Sequence, residues 1–100
     1  NTSLEGRTIW RGYVSFGFET SEFRPCGLRE KWWVLSNKDL SQRYGTLSPK
    51  MYGSVYVRMK GTLTSTGKYG HLGAYQRQFA VQSVLEARAL RSDDCKVKGY

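Results

Sequence analysis

The sequence predicts a mainly β domain, and three observations support that fold class. Apolar and polar residues alternate along three long segments, which is the period-two pattern of half-buried strands. Glycine makes up 11 of the 100 residues and punctuates the segments between the strands. Only one segment, around residues 37–44, combines helical spacing of apolar residues with residues that cap a helix.

The first three strands precede that helix. Even-numbered positions of the first strand carry its apolar side chains, namely Trp10, Val14, Phe16 and Phe18. Gly12 and Gly17 within it predict a bulge or strong coiling. The next turn, the short second strand and the third strand are expected at residues 19–22, 23–26 and 30–35.

The predicted helix has a start signal and a stop signal. Ser36 or Asn37 caps its beginning, and Gly45 is expected to end it. Leu40 and Tyr44 are four residues apart, so they share the face that packs on the core.

Two more strands follow the helix, over residues 54–65 and 78–89. The first places Val55, Val57, Met59 and Leu63 on one face, and the second places Phe79, Val81, Leu85 and Ala87 on one face. The resulting order β-β-β-α-β-β is that of the OB-fold, a five-stranded Greek-key barrel. A β-sandwich is less favoured because it needs about seven strands.

Length and composition fit a single OB-fold domain over residues 1–100. A chain of 100 residues buries roughly two-thirds of its unfolded surface. Its residues are 39% hydrophobic and 14% aromatic, which suffices for one core. We expect the core at about residues 8–95 and flexible ends at 1–7 and 96–100. No apolar run reaches the roughly 18 residues of a membrane helix, so we expect membrane attachment only through a lipid anchor outside this chain.

The charge is strongly basic. Lysine and arginine outnumber aspartate and glutamate by 16 to 8, which gives a net charge of +8 and a pI near 9.8. Such a chain attracts polyanions: nucleic acid, anionic lipid or lipopolysaccharide, or an acidic protein.

The only two cysteines are Cys26 and Cys95. They are too far apart for CxxC redox chemistry, and two cysteines with one histidine make a poor zinc site. A disulfide between them closes a loop of about 70 residues, worth roughly 4 kcal/mol in the chain-entropy model. The alternative is two buried thiols in a cytosolic protein. The charged surroundings of Cys95 favour the disulfide, and with it a location outside the cytoplasm.

Trp32 and Trp33 are adjacent, so they point to opposite faces of the third strand. We assign Trp32 to a candidate contact surface. The outward tryptophan, together with Arg24, Arg29 and Lys31, resembles the stacking platform of nucleic-acid-binding OB-folds. The alternative is that the second tryptophan is covered by the amino-terminal segment or by the helix.

The segment between the last two strands holds the other candidate contact residues. Its glycines alternate with side chains suited to contacts, namely Lys68, Tyr69, His71, Tyr75 and Arg77. OB-folds often bind ligands with this loop and with the loop between strands one and two. The alternative is structural, in which Tyr69 and Tyr75 fold back as a lid on the barrel.

No cofactor, metal or catalytic site is expected. His71 could join Met51 or Met59 as a Cu(I) ligand, but Met59 faces the predicted core. Glu19 and Glu22 lie in a predicted turn without a partner base, and no phosphate-binding loop motif occurs. The sequence therefore does not indicate an enzyme.

Several segments together resemble the C-terminal OB-fold domain of the NlpE-type bacterial envelope lipoproteins. They are "FRPCG" in an early strand, "VYVRMKGTLTSTG" followed by "FAVQSVLEAR", and a cysteine just past the last strand. The segment "YGHLGAYQRQ" is also similar to a motif of small uncharacterised outer-membrane lipoproteins. The resemblance implies an OB-fold, a disulfide and an envelope location. The N-terminal CxxC domain of that family has no counterpart here, so no role in copper handling or stress signalling follows.

Together these features predict a monomeric, extracytoplasmic binding module of an envelope lipoprotein, either periplasmic or anchored to the outer membrane. It would contact a protein, a glycan or an anionic envelope surface and perform no chemistry. The alternative is an OB-fold protein that binds single-stranded nucleic acid. The state of the two cysteines distinguishes the two.

Overall fold

Five strands and one helix form the part of the chain that the computed structural model describes, residues 6–47 and 53–96. The elements in chain order are β1 (Ile9–Gly17), β2 (Thr20–Pro25), β3 (Trp32–Leu35), α1 (Lys38–Leu47), β4 (Ser54–Leu63) and β5 (Gln78–Arg88). The strands close into a barrel in the order β1-β2-β3-β5-β4. Among the strands of the described residues, only β3 and β5 pair in parallel. This arrangement confirms the predicted OB-fold-like barrel.

The core of the barrel is aromatic at its centre. The rings of Trp10 and Trp32 meet edge to face with centroids 4.8 Å apart. Phe23 packs against Trp32 at 5.8 Å and stacks on Phe79 at 5.9 Å. The predicted inward residues of β4 complete the interior, namely Val55, Val57, Met59 and Leu63.

The turn between β1 and β2 differs from the prediction. It consists of Phe18 and Glu19 alone, because Gly17 pairs with Thr20 and the ladder starts there. Of the residues expected in the turn, Thr20, Ser21 and Glu22 therefore belong to β2. Phe18, expected on the inner face of β1, is 71% exposed.

Helix α1 begins as predicted and ends later. The Asn37 side chain is the cap, since its Oδ1 accepts a hydrogen bond of 2.8 Å from the Leu40 amide. Leu40 and Tyr44 are buried, and the helix continues through Gly45 to Leu47. The Tyr44 hydroxyl donates to the Gly53 carbonyl at 2.6 Å, which fixes the helix against the start of β4.

The inward-facing residues of β5 do not follow the alternation predicted from the sequence. Two register shifts interrupt the pairing of β4 with β5, beside Met59 and beside Gly61. Each shift changes which residues of β5 face inward. As a result Val84 packs on the core, whereas Leu85, expected inside, is 43% exposed. No such shift occurs in the β1 ladders, where Gly12 and Gly17 predicted a bulge or strong coiling, so the bulge is not present there.

The segment after β5 is held by the predicted disulfide between Cys26 and Cys95. Its neighbour Asp94 is 1% exposed, and its Oδ2 accepts a hydrogen bond of 2.6 Å from the Arg91 amide. The other carboxylate oxygen lies 2.6 Å from Arg88 Nη1. The end of β2 is thereby tied to the segment after β5.

The expected flexible ends lie largely outside the described residues. Arg7, at the start of the described part, packs its guanidinium over the Trp10 ring at 3.8 Å. None of the described helices is long and apolar enough to cross a bilayer.

Candidate functional site

The β4–β5 loop, residues 64–77, is a small ordered ladder. The Tyr69 amide donates to the Tyr75 carbonyl at 2.9 Å, and the Tyr75 amide donates back at 3.1 Å. The Gly67 amide adds a bond of 2.8 Å to the Gln76 carbonyl. A short 3-10 turn over His71–Gly73 forms the tip. The loop therefore pairs part of its backbone within itself.

This loop packs on the outer face of β3. The Trp33 amide donates to the Arg77 carbonyl at 2.9 Å. Gly70 lies directly against the half-buried Trp33 ring, where a Cβ atom would come within 2.4 Å of Cε3. Gly70 also has φ 71 and ψ −159, a conformation open essentially only to glycine. The loop therefore covers the outward tryptophan.

Tyr75 anchors the loop to β2 and β3. It is 7% exposed, and its ring meets Trp33 edge to face at 5.3 Å. Its hydroxyl donates to Glu22 Oε1 at 3.3 Å. Burial, and after it the nearby Glu22 carboxylate, raises the pKa of the Tyr75 hydroxyl above its ordinary value. The Lys31 ammonium lies 5.6 Å from the centre of the Tyr75 ring.

The tip of the loop meets the β1–β2 turn. His71 Nε2 and Glu19 Oε2 are 2.9 Å apart, and both side chains are partly exposed. The sequence neighbours of this pair, Phe18 and Leu72, are 71% and 89% exposed. We call Phe18, Glu19, His71 and Leu72 the loop corner. It is formed by the two loops that flank the ligand-binding face of OB-folds.

The predicted contact residues of the loop divide into exposed and structural ones. Lys68 and His71 are exposed, and Tyr69 is half-buried with its hydroxyl donating to the Ser65 carbonyl at 3.1 Å. Tyr75 is buried. Arg77 Nη1 donates to the Thr64 carbonyl at 3.0 Å, and its Nε lies 3.4 Å from Glu30. Arg77 thus braces the base of the loop.

The assignment of Trp32 to the contact surface was wrong. Trp32 is fully buried in the core, and its Nε1 donates to Glu30 Oε1 at 2.8 Å. The alternation of residues along β3 did not show which of the two tryptophans faces outward. In the structure it is Trp33.

Sequence reasoning also missed Phe18 and Leu72. Phe18 continued the apolar alternation of β1 and was therefore assigned to the core. Leu72 is a lone apolar residue in a glycine-punctuated loop, and that isolation is the signal that could have identified it.

Two open depressions lie on the outside of the described part of the barrel. A groove of about 320 Å³ on the outer face of β1 and β2 is lined by Tyr13, Ser15, Thr20, Glu22, Arg24 and Ser54. A cleft of about 450 Å³ is lined by Arg24, Leu28, Arg29, Glu30 and Lys31. The acids at both sites have partners, since Glu22 lies 2.6 Å from Arg24 Nε and Glu30 bonds Trp32. The second of these depressions is mainly basic, with Arg24, Arg29 and Lys31 against Glu30.

The residues considered as metal ligands do not come together. His71 faces Glu19, Met59 is fully buried, and both cysteines form the disulfide. Met51 lies outside the described residues. Within residues 6–47 and 53–96, no group of three or more histidine, cysteine, aspartate or glutamate residues is placed to hold a metal ion.

Comparison of the chain with family models, with curated proteins and with solved structures gave no match.

Proposed function

We propose that this chain is an extracytoplasmic, non-catalytic binding module of a bacterial envelope lipoprotein of the NlpE type. Its contact surface is the loop corner. The observation that carries the proposal is the exposure of Phe18 and Leu72, which are 71% and 89% exposed and are the sequence neighbours of the contacting Glu19 and His71.

The disulfide supports the extracytoplasmic location. Disulfides form and persist in oxidising compartments and are rare in the cytosol. The Cys26–Cys95 bond joins two segments that are 69 residues apart in the chain. The resemblance of the cysteine and strand pattern to the envelope lipoproteins points to the same compartment.

The geometry of the loop corner supports a contact role. Its pieces come from two separate loops, and the His71–Glu19 contact holds them together. Glu19 and Leu72 both have positive φ, at 56 and 58, which is uncommon for residues other than glycine. Strained backbone of this kind clusters where proteins bind. Glu19 is partly exposed in a turn rather than enclosed in a cleft, which supports binding over catalysis.

Nucleic-acid binding is the rival function, and the net charge of +8 favours it. A stacking platform needs an open aromatic face. Here Gly70 and Tyr75 pack against Trp33, the one tryptophan on the outer face of β3. That packing favours the first proposal. Quenching of tryptophan fluorescence by oligothymidine that persists at high salt would favour the rival instead.

Thiol trapping tests the proposed compartment. The protein is isolated from its natural host in the presence of an alkylating reagent and weighed before and after reduction. We expect no alkylation and a gain of about 2 Da on reduction, because one disulfide takes up two hydrogens. Two alkylated cysteines in the isolated protein would contradict an extracytoplasmic location.

A further inference from the structure

Three exposed apolar side chains occupy one corner of the barrel. Phe18 and Leu72 belong to the loop corner, and Leu35 lies on the same outer face of β3 as Trp33, at the end of the strand. The register of the Glu22–Trp33 pair, extended along both strands, points Leu35 toward Thr20, directly after the β1–β2 turn. We call Phe18, Leu35 and Leu72 the apolar corner. Large exposed apolar residues are unremarkable when they are scattered, but these are grouped.

The conformation of Leu72 is not explained by the fold. Its φ of 58 and ψ of 19 lie in the left-handed region, where glycine or asparagine is favoured and a bulky side chain is an outlier. Its side chain is 89% exposed, so it contributes little packing to offset that strain. A leucine at this position therefore lowers stability in the free protein. A binding partner that buries the Leu72 side chain would supply apolar contacts that offset this strain.

An exposed cation lies beside the apolar corner. Lys68 is exposed, and its aliphatic chain runs beside Gly73, the residue after Leu72. Lys31, also exposed, lies over the Tyr75 ring at the opposite end of β3 from Leu35. Glu22 is paired with Arg24, and Glu19 contacts His71. The net charge of +8 adds a longer-range attraction to anions.

We propose that the apolar corner binds the surface of a lipid bilayer that contains anionic lipid. Phe18 and Leu72 enter the boundary between head groups and acyl chains, and Lys68 contacts the head-group phosphates. An anionic bilayer suits both features, because apolar burial and cation attraction add at its interface. This inference rests on the proposed binding role of the loop corner and names its partner.

Vesicle binding tests the inference with the intact, oxidised protein. Phosphatidylcholine vesicles with and without phosphatidylglycerol are sedimented with the wild type and with Phe18→Ser, Leu72→Asn and Leu85→Ser. Leu85 is the matched control, since it is an exposed leucine on β5 outside the corner. We expect binding only with phosphatidylglycerol, about tenfold weaker or worse for Phe18→Ser and Leu72→Asn, and unchanged for Leu85→Ser.

Melting temperature separates lost contact from lost folding. Asparagine tolerates the left-handed conformation better than leucine, so Leu72→Asn should melt at the wild-type temperature or above it while binding worse. If the wild-type protein does not bind vesicles that contain phosphatidylglycerol, the inference is overturned. The inference is also overturned if salt abolishes the binding and Phe18→Ser and Leu72→Asn do not weaken it, because charge alone would then explain the binding. If the protein does not bind vesicles but a crosslinker at position 72 still forms adducts with envelope material, the lipid partner is wrong and the proposed binding role is retained.

Discussion

Gly70 has no Cβ atom, and this allows the β4–β5 loop to pack closely against Trp33 on the barrel. Alanine there would bring Cβ within 2.4 Å of Trp33 Cε3 at a φ of +71. We expect Gly70→Ala to lower the free energy of unfolding by about 1–3 kcal/mol, measured by urea denaturation. Gly45 in α1 is the control, since a Cβ there meets nothing within 4 Å. Gly45→Ala should raise stability by about 0.5–1 kcal/mol. Equal stability of the two variants would contradict the packing of the loop on Trp33.

Tyr75 gives the loop a dependence on alkaline pH. Its pKa is raised in the folded state above the ordinary value of 10.0, so the unfolded chain loses this proton first. Its contribution to stability is complete below about pH 10 and is lost as the pH rises from there through the folded pKa. We expect the wild type to lose stability more steeply above pH 10 than Tyr75→Phe, which lacks the titrating hydroxyl. Parallel curves of unfolding free energy against pH would show that the buried hydroxyl is not where we place it.

At the scale of elements, α1 depends on its N-cap. Asn37 Oδ1 accepts from the Leu40 amide, and Asn37 Nδ2 donates to the Gln82 carbonyl at 3.2 Å. Asn37→Ala should therefore cost about 1 kcal/mol of the free energy of unfolding. Ser36→Ala is the matched control, because the Ser36 hydroxyl bonds Ser41 rather than capping the helix. A larger loss of stability for Ser36→Ala than for Asn37→Ala would show that Asn37 is not the residue that caps the helix.

The elements were predictable from the sequence wherever burial follows a simple period. The alternation of β4 located its four core residues, and the spacing of Leu40 and Tyr44 located the buried face of α1. The prediction failed where pairing between strands changes the period. The register shifts beside Met59 and Gly61 brought Val84 inward, and no single-strand pattern contains that information.

The candidate site was only partly predictable for a related reason. Glycines and aromatic residues identified the β4–β5 loop, but not the direction in which it folds. That direction depends on Gly70 fitting against Trp33 and on His71 reaching Glu19, both of which are contacts between distant segments. The exposed Phe18 followed the alternation of a strand that had already ended.

At the scale of the whole molecule, the disulfide constrains the unfolded chain. Reduction, or the double variant Cys26→Ala/Cys95→Ala, should lower the free energy of unfolding by about 2–5 kcal/mol. Thermal unfolding with and without reductant measures the change. The double variant is its own control, since reductant should not affect it. A wild-type melting temperature that reductant leaves unchanged would show that the Cys26–Cys95 bond contributes nothing to stability.

Photocrosslinking from the loop corner tests the central claim most directly. A benzophenone amino acid is placed at position 72 or, as the control, at position 85, where both leucines are exposed. Each oxidised protein is irradiated in the envelope fraction of its host. If the loop corner is the contact surface, position 72 forms adducts and position 85 does not, whether the partner is lipid, glycan or protein. Adducts at position 85 alone, or at neither position while the protein still binds the envelope, would place the contact surface elsewhere on the barrel.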